Sequence, residues 1–307
     1  MIVRAPDRML VQGITGRQGS FWAERMQEYG AKVVGGVNPK RAGEEFLGVP
    51  VYESAVAAAK ETEIDVAVMF IPPMAAKAAA LDAIEAGVRL LVVLTEHIPT
   101  QDVMYFMAAA KDSGTRIMGP NTAGLVTPGE TFVGIMPAWE EDICRPGRVG
   151  VVSRSGSLGT LACLNLVQAG LGQSTVLGLG GDPILGTTTI EALQALEQDP
   201  GTDAVVLVGE IGGTAEEDAA EFIAAMSKPV VAFIAGGASP AGRKMGHAGA
   251  IVTGDKGTYR SKRNALEKAG AAVLDMPSQL GETMHKVMAS RAAAVPQSGA
   301  IEFPTDH

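Results

Sequence analysis

MLVQGITGRQG at residues 9–19 is the stretch that decides the fold class. Its first four residues predict a short buried strand, and an amphipathic helix is predicted over about 20–29. The three glycines between them allow close approach of the backbone to an anion, which the helix dipole favours. The spacing is G-x-x-G-x-x-G and not the dinucleotide fingerprint G-x-G-x-x-G, so a tight turn without a ligand stays open as an alternative.

Strand and helix patterns alternate through the rest of the first half. Strands are predicted at 32–37, 66–71, 90–94 and 116–118, with helices at about 75–87 and 100–113. Such alternation predicts a doubly wound parallel sheet that binds ligands at the carboxyl ends of its strands. Lys40 and Arg41 follow the second strand, where an NAD site would usually have an acid. Two cations suit a ribose phosphate, as in NADP or coenzyme A, although a solvated basic turn fits equally well.

The second half predicts another α/β unit. A segment rich in Pro and Gly at 127–147 is interpreted as a linker between a first domain at 1–126 and a second at 148–290, with a tail at 291–307. The new unit opens with a strand at 148–152 and a helix that begins near Ser155, Gly156 and Ser157. Hydroxyls and glycine at a helix start predict either a second anion site or a plain N-cap.

Glu210 and His247 are the candidate catalytic pair. Glu210 lies just after the predicted strand at 204–208, at its carboxyl end, and is followed by the paired glycines at 212–213. In that place it could orient an imidazole. His247 lies in GHAGA at 246–250, and its small neighbours leave the ring accessible to a large substrate group. Arg243 and Lys244 just upstream favour anions, so His247 is a candidate phosphoryl acceptor. An ordinary loop histidine is the alternative, and for His97, near the end of another strand, that interpretation is preferred.

Composition excludes several classes of protein. The 307 residues carry a formal net charge of -9, which argues against a partner that is nucleic acid or an anionic membrane. Two cysteines cannot form a disulfide framework, and residues 1–8 have no apolar run, so a reducing compartment and no secretory signal are expected. Gly237 and Gly242 have the spacing of a P-loop, but no Lys-Ser or Lys-Thr pair follows. A phosphohistidine would therefore need its phosphate from another chain.

Eight separated segments, in order, resemble one family. They are GITGRQG at 13–19, GGVNP at 35–39, TEHIP at 95–99, GPN at 119–121, SRSG at 153–156, GGDP at 180–183, GEIGG at 209–213 and GHAGA at 246–250. Together they resemble the α subunit of succinate–CoA ligase, over about residues 9–290. The resemblance implies a Rossmann-like CoA-binding domain followed by a flavodoxin-like ligase domain.

The resemblance also implies a reaction. His247 would be phosphorylated with Glu210 as its orienting acid, the phosphoryl group would pass to a carboxylate, and the thiol of coenzyme A would attack the acyl phosphate. ATP or GTP and Mg²⁺ would be bound by an ATP-grasp β subunit, in an αβ or α2β2 assembly, and no metal site is expected in this chain. The residues implied for coenzyme A are Gly13, Thr15, Gly16, Arg17, Gln18, Gly19, Lys40, Arg41, Pro72, Leu94, Thr95 and Glu96. Those implied for phosphate or substrate are Asn121, Ser155, Gly156, Ser157, Thr160 and Gly246.

The sequence departs from the family where the substrate is expected. The family usually has a Tyr-Glu pair after the second glycine-containing helix start, and here Thr160 and Leu161 follow. The acid is therefore succinate or a related small carboxylate, with malate as an alternative. A non-catalytic CoA-binding subunit and an NADP-dependent oxidoreductase are the other hypotheses. The expected location is the cytoplasm, or the mitochondrial matrix in a eukaryote.

Overall fold

Two mostly parallel sheets, each with seven strands and flanking helices, make up the protein. The structure is a computed structural model that describes residues 1–237, 247, 252 and 256–294. The strands near the middle of each sheet are buried along their whole length, as expected where helices cover both faces. The α/β fold class predicted from the alternating pattern is confirmed.

The first sheet has the strand order β3-β4-β2-β1-β5-β6-β7, and only β3 runs antiparallel to its neighbour. Its strands are β1 Arg8–Gln12, β2 Lys32–Val37, β3 Glu45–Phe46, β4 Val49–Tyr52, β5 Val66–Met69, β6 Leu90–Val93 and β7 Arg116–Met118. Its helices are α1 Arg17–Tyr29, α2 Ala55–Ala59, α3 Ala76–Glu85 and α4 Thr100–Ser113. The chain leaves β1 for β2 on one side and returns to β5 on the other, so the crevice of this sheet opens at the end of β1.

The second sheet has the order β14-β13-β12-β10-β11-β8-β9. Its strands are β8 Gly124–Thr127, β9 Thr131–Gly134, β10 Pro146–Ser153, β11 Gln173–Gly178, β12 Ala204–Glu210, β13 Val230–Ala235 and β14 Ala272–Leu274. Its helices are α5 Gly156–Gln168, α6 Thr189–Gln198, α7 Ala215–Asp218, α8 Ala220–Ala225, α9 Tyr259–Lys268 and α10 Leu280–Ala294. The five parallel strands follow the flavodoxin-like order 2-1-3-4-5, which places the switch point between β10 and β12.

The segment predicted to link the two domains contains regular structure. The hairpin β8–β9 extends from 124 to 134 and joins the second sheet, where β8 runs antiparallel to β11. All of its strand residues are buried, so no solvent-facing alternation marks them as strands in the sequence. The chain therefore passes from the first sheet to the second near residue 124. The domain limits at 126 and 148 remain predictions.

Helix and strand limits agree with the sequence patterns to within a few residues where apolar runs are clear. Helix α4 begins and ends at the predicted residues, whereas α1 begins at Arg17, three residues before the prediction, because Gly16 takes the N-cap position. None of the helices among the described residues is long and apolar enough to cross a membrane. Cys144 and Cys163 are both buried and free.

Candidate functional site

The glycine loop after β1 allows a ligand to approach the N-terminus of α1 closely. Gly13 has φ +82, and a Cβ there would lie 2.5 Å from the carbonyl oxygen of Phe70. A Cβ on Gly19 would lie 2.1 Å from the carbonyl oxygen of Gly13, so both positions require glycine. Gly16 caps α1 without a side-chain hydrogen bond, which leaves the first N–H groups of the helix directed at the crevice. This loop therefore fits a phosphate-bearing ligand such as coenzyme A.

The segment after β2 contains the two predicted cations, Lys40 and Arg41, and a hydrogen bond to the loop. Asn38, after β2, donates a hydrogen bond from Nδ2 to Oγ1 of Thr15 at 2.5 Å. Arg41 is already engaged, since it pairs with Glu44 at 2.6 Å and lies over the ring of Phe46. Lys40 is exposed and forms no salt bridge within the described residues. Of the two predicted cations, Arg41 thus has an ion-pair partner among the described residues and Lys40 has none.

The ends of β5 and β6 complete this edge of the first sheet. Thr95 uses its hydroxyl to bind the carbonyl oxygen of Ile71 at 2.7 Å, so this side chain fixes the edge. Pro72 opens the short turn before α3, and Glu96 is exposed. His97 is exposed with φ +60, and its Nε2 lies 3.5 Å from Glu96, which makes it a strained loop residue.

His247 lies directly against Glu210 at the carboxyl edge of the second sheet. Glu210 is the last residue of β12, and its Oε2 lies 2.7 Å from Nδ1 of His247. An ionised carboxylate can only accept, so this contact places the proton of a neutral imidazole on Nδ1 and leaves the Nε2 lone pair free. The ring is 28% exposed and the carboxylate 7%. Nε2 is therefore the ring nitrogen that is free to act as a nucleophile.

Charges on three elements set the protonation of His247. The hydrogen bond to Glu210 raises the pKa of His247 above its ordinary value, while burial lowers this pKa. The negative charge of Asp182 also raises the pKa, and the positive charge of Arg154 lowers it. The imidazole is thus held between two carboxylates and one guanidinium.

The GGDP segment forms the surface on which the imidazole lies. A Cβ on Gly181 would lie 2.8 Å from Cγ of His247, so only glycine fits beneath the ring. Asp182 accepts a hydrogen bond from Nδ2 of Asn121 at 3.1 Å, and its carbonyl oxygen accepts one from Nη2 of Arg154 at 3.3 Å. Asn121 N in turn donates to the carbonyl oxygen of Thr95 at 3.0 Å. The segment therefore connects the edge of the first sheet with the histidine.

The start of α5 has N–H groups available to an anion. Ser155 is the N-cap, and its Oγ accepts from Leu158 N at 3.3 Å. No described residue accepts a hydrogen bond from the backbone N–H of Gly156 or Ser157. Thr160 lies one turn later and donates its hydroxyl to the carbonyl oxygen of Gly156 at 2.9 Å. This helix start combines the features of a phosphate site, whereas the Thr160 hydroxyl is directed into its own helix.

A buried ion pair holds the end of β12 in place. Lys262 of α9 is fully buried and pairs with Glu216, which is 1% exposed. Its Nζ also donates to the carbonyl oxygens of Glu210 and Gly212, both at 2.7 Å. Oε1 of Glu216 accepts from the backbone N–H of Glu210 at 3.3 Å. Both backbone groups of Glu210 are therefore bound.

Sequence reasoning missed several residues of this site. The motifs SRSG and GGDP contain three of them, to which the sequence assigned no role: Arg154, Gly181 and Asp182. Only Arg154 has a signal in the sequence, because it is the last charged residue before the uncharged run 155–181. Lys262 lies in a polar stretch that has no such signal. Gly246, Arg243 and Lys244 lie outside the described residues. Among those described, no group of three or more His, Cys, Asp or Glu side chains could hold a metal ion.

Comparison with known proteins identifies the family of this chain. The family model described as CoA binding domain matches residues 5–97, and the model described as CoA-ligase matches 152–272. The succinate–CoA ligase [ADP-forming] subunit alpha of Methanothermobacter thermautotrophicus is 51% identical over 273 residues, which cover 89% of this chain and 92% of that protein. The chain belongs to the family of succinate–CoA ligase α subunits. Its first domain is a CoA-binding domain and its second a CoA-ligase domain.

Two further relatives extend the family. An ADP-forming sulfoacetate–CoA ligase subunit of Bilophila wadsworthia is 40% identical and covers 94% of this CoA ligase chain and 99% of its own length. A mutant ATP citrate lyase from Methanosaeta concilii, solved with (3S)-citryl-CoA, has a TM-score of 0.87 at 25% identity. That comparison covers 100% of this chain and 54% of the lyase chain, so the chain spans about half the length of the lyase.

Proposed function

We propose that this chain is the α subunit of a nucleoside-diphosphate-forming acid–CoA ligase, in which His247 carries the phosphoryl group. The observation that carries the proposal is the 2.7 Å contact between Nδ1 of His247 and Glu210 at the carboxyl edge of the second sheet. A carboxylate on Nδ1 fixes the tautomer and increases the nucleophilicity of Nε2. Family membership and the open helix start of α5 support the same assignment.

The reaction then proceeds in three transfers. Nε2 of His247 attacks the terminal phosphorus of the nucleoside triphosphate and the diphosphate leaves. An oxygen of the carboxylic acid substrate takes the phosphoryl group from His247, which gives an acyl phosphate. The thiol of coenzyme A attacks the acyl carbon and releases inorganic phosphate. The N–H groups of Gly156 and Ser157 at the start of α5, with the Ser155 cap, are proposed to bind the phosphate in transit.

Coenzyme A is proposed to bind along the carboxyl edge of the first sheet. A phosphate binds at the start of α1, where the N-cap residue Gly16 has no side chain to bind the free N–H groups, and Lys40 supplies the cation. The remaining contacts are proposed at Thr15, Arg17 and Gln18 in the loop and at Pro72, Leu94, Thr95 and Glu96 on the neighbouring strand ends. Arg41 supports this edge through Glu44 and Phe46 and is assigned no direct contact.

A partner subunit is proposed to supply the nucleotide. Several relatives are named as subunit alpha, which supports a partner for this chain. The partner is proposed to be an ATP-grasp β subunit that binds ATP or GTP with Mg²⁺, because the sequence has no complete P-loop of its own. An αβ or α2β2 assembly is expected.

The acid is proposed to be succinate or another small carboxylate chosen near Thr160. A substituted acid such as malate or sulfoacetate is the second candidate, favoured by the absence of the tyrosine usual in the family and by the sulfoacetate–CoA ligase relative. A panel of these acids, assayed for thioester formation with the partner subunit, identifies the substrate. A complex that binds coenzyme A but forms no thioester with any acid would favour a non-catalytic subunit.

Labelling from γ-labelled ATP tests the phosphohistidine. In the complex with the partner, the wild-type chain is expected to take up label and His247→Asn is expected to take up none. His285→Asn is the matched control, because His285 lies on α10 and its side chain hydrogen-bonds, among the described residues, to the carbonyl oxygen of Ala169 alone. Label on the His247→Asn chain would refute the assignment.

A further inference from the structure

Arg154 is a buried charge to which the reaction above assigns no role. It lies between the end of β10 and the start of α5, and its side chain is 7% exposed. Its Nε lies 3.6 Å from Oε1 of Glu210, the oxygen that does not contact His247. Both atoms are buried, and among the described residues neither Nε nor Oε1 has a hydrogen-bond partner.

The guanidinium is held at its far end as well. Nη2 donates to the carbonyl oxygen of Asp182, the residue after the glycine beneath the imidazole. Arg154 therefore joins the segment under the ring to the carboxylate beside the ring. A planar guanidinium can reach both at once, whereas the single ammonium of lysine cannot reproduce this geometry.

The charge of Arg154 also opposes protonation of the imidazole. Within the part of the chain that the structure describes, three charged groups act on His247: Glu210 from β12, Asp182 from the loop after β11, and Arg154 from the β10–α5 connection. The two carboxylates raise the pKa of His247 and the guanidinium lowers it. A protonated imidazole has no lone pair on Nε2 and cannot attack phosphorus.

We propose that Arg154 is a positioning residue for the histidine site: by pairing with one oxygen of Glu210 it fixes the carboxylate that holds His247 and keeps the imidazole available as a nucleophile. The role of His247 as nucleophile rests on the proposed function. In this role Arg154 acts through Glu210.

The initial rate of chain labelling from γ-labelled ATP, measured across pH 5.5 to 9 in the complex, tests the proposal. In Arg154→Gln we expect the acid limb of the profile to move upward by roughly one pH unit, as when a neighbouring charge is lost. Arg154→Lys is expected to keep the acid limb but to lower the plateau about tenfold, because the two-point contact is lost. Arg148→Gln is the matched control, since Arg148 lies on the same strand and pairs with Asp203; its profile should match wild type.

An unchanged acid limb in Arg154→Gln would overturn the proposal. If that variant does not fold, Arg154→Lys decides, and a wild-type plateau would overturn the positioning role. Titration of the His247 imidazole by NMR in the unphosphorylated full chain needs no ATP, and it should show the same upward shift. Wild-type protein that takes up no label would refute the proposed function, while this titration would still test Arg154.

Discussion

At the scale of single residues, the histidine site depends on a position that has no side chain. The ring of His247 lies on Gly181, whose backbone is tied to the first domain because its N–H donates to the carbonyl oxygen of Asn121 at 3.1 Å. The contact involves Cγ, the base of the imidazole, so rotation of the ring cannot relieve it. A methyl group at this position must displace the whole side chain from Glu210.

Gly181→Ala is therefore expected to lower the rate of His247 phosphorylation by about tenfold or more, because displacement of a reacting group by about 1 Å has a large effect on rate. The measurement is labelling of the chain in the complex, with thermal unfolding to establish that the variant folds. Gly201→Ala is the control, since the three atoms nearest to its added Cβ all belong to the carboxylate of Asp199, at 3.2 Å or more. Equal labelling of Gly181→Ala and wild type would contradict the prediction.

At the scale of secondary-structure elements, β12 and α9 are joined by the buried Lys262–Glu216 pair. A buried ion pair is weak support for stability in itself, because both charges lose their hydration. Here the same two side chains bind the N–H and carbonyl groups of Glu210, so the pair determines where the strand presents its carboxylate. The geometry of the histidine site is in this way tied to α9, whose Lys262 binds the backbone of Glu210 and not the imidazole.

Lys262→Met is expected to lower the free energy of unfolding by about 3–5 kcal/mol, because Glu216 remains as an unpaired buried charge. Adding Glu216→Gln should recover part of the loss, since an amide removes the charge and still accepts from Glu210 N. Urea unfolding measures both effects. Lys286→Met is the control, because Lys286 is 71% exposed and its loss should change stability by less than about 0.5 kcal/mol. A loss below about 1 kcal/mol in Lys262→Met would show that the pair is dispensable.

At the scale of the whole molecule, both domains repeat one arrangement at the edge opposite their sites. Arg8 at the start of β1 pairs with Asp65 just before β5, and Arg148 in β10 pairs with Asp203 just before β12. In both cases the arginine carbonyl also accepts from the aspartate N–H. The two central strands of each sheet are thus joined at their amino ends, while their carboxyl ends carry the ligand sites.

These two ion pairs predict how the free energy of unfolding depends on pH. Hydrogen bonds from Arg8 and Arg148 lower the pKa of Asp65 and Asp203 in the folded protein. A carboxyl whose folded pKa is lowered contributes stability that is present above its unfolded pKa of about 3.9 and is lost as pH falls through the folded value. The urea midpoint of wild type should therefore fall more steeply between pH 5 and 2.5 than that of Asp65→Asn/Asp203→Asn.

Asp112→Asn, at an exposed aspartate of α4 with no ion pair among the described residues, should follow the wild-type curve. Parallel slopes for wild type and the double variant would contradict the prediction. Neither aspartate is fully buried, since the side chain of Asp65 is 26% and that of Asp203 44% exposed, so added salt should reduce the difference.

Much of the fold could be predicted from local patterns. Apolar runs mark β5, β6 and β12, and Gly114 and Pro99 bound α4, because burial on both faces and helix termination leave local signals. The hairpin β8–β9 was not predicted, since its short strands are buried throughout and lie in a stretch rich in Pro and Gly. Edge strands β3 and β14 were also missed, because two or three residues carry too little periodicity.

By itself, the sequence determined the alternation of the longer strands and helices, the glycines that the loops require, and Glu210 and His247 as candidates, since each depends on residue type and local pattern. Only the tertiary structure decided that Arg154 lies beside Glu210 and that Lys262 is buried against Glu216. Those facts depend on side chains far apart in the chain whose charges are paired only when the sheets assemble, and charge pairing across such separations leaves no periodic trace in a sequence.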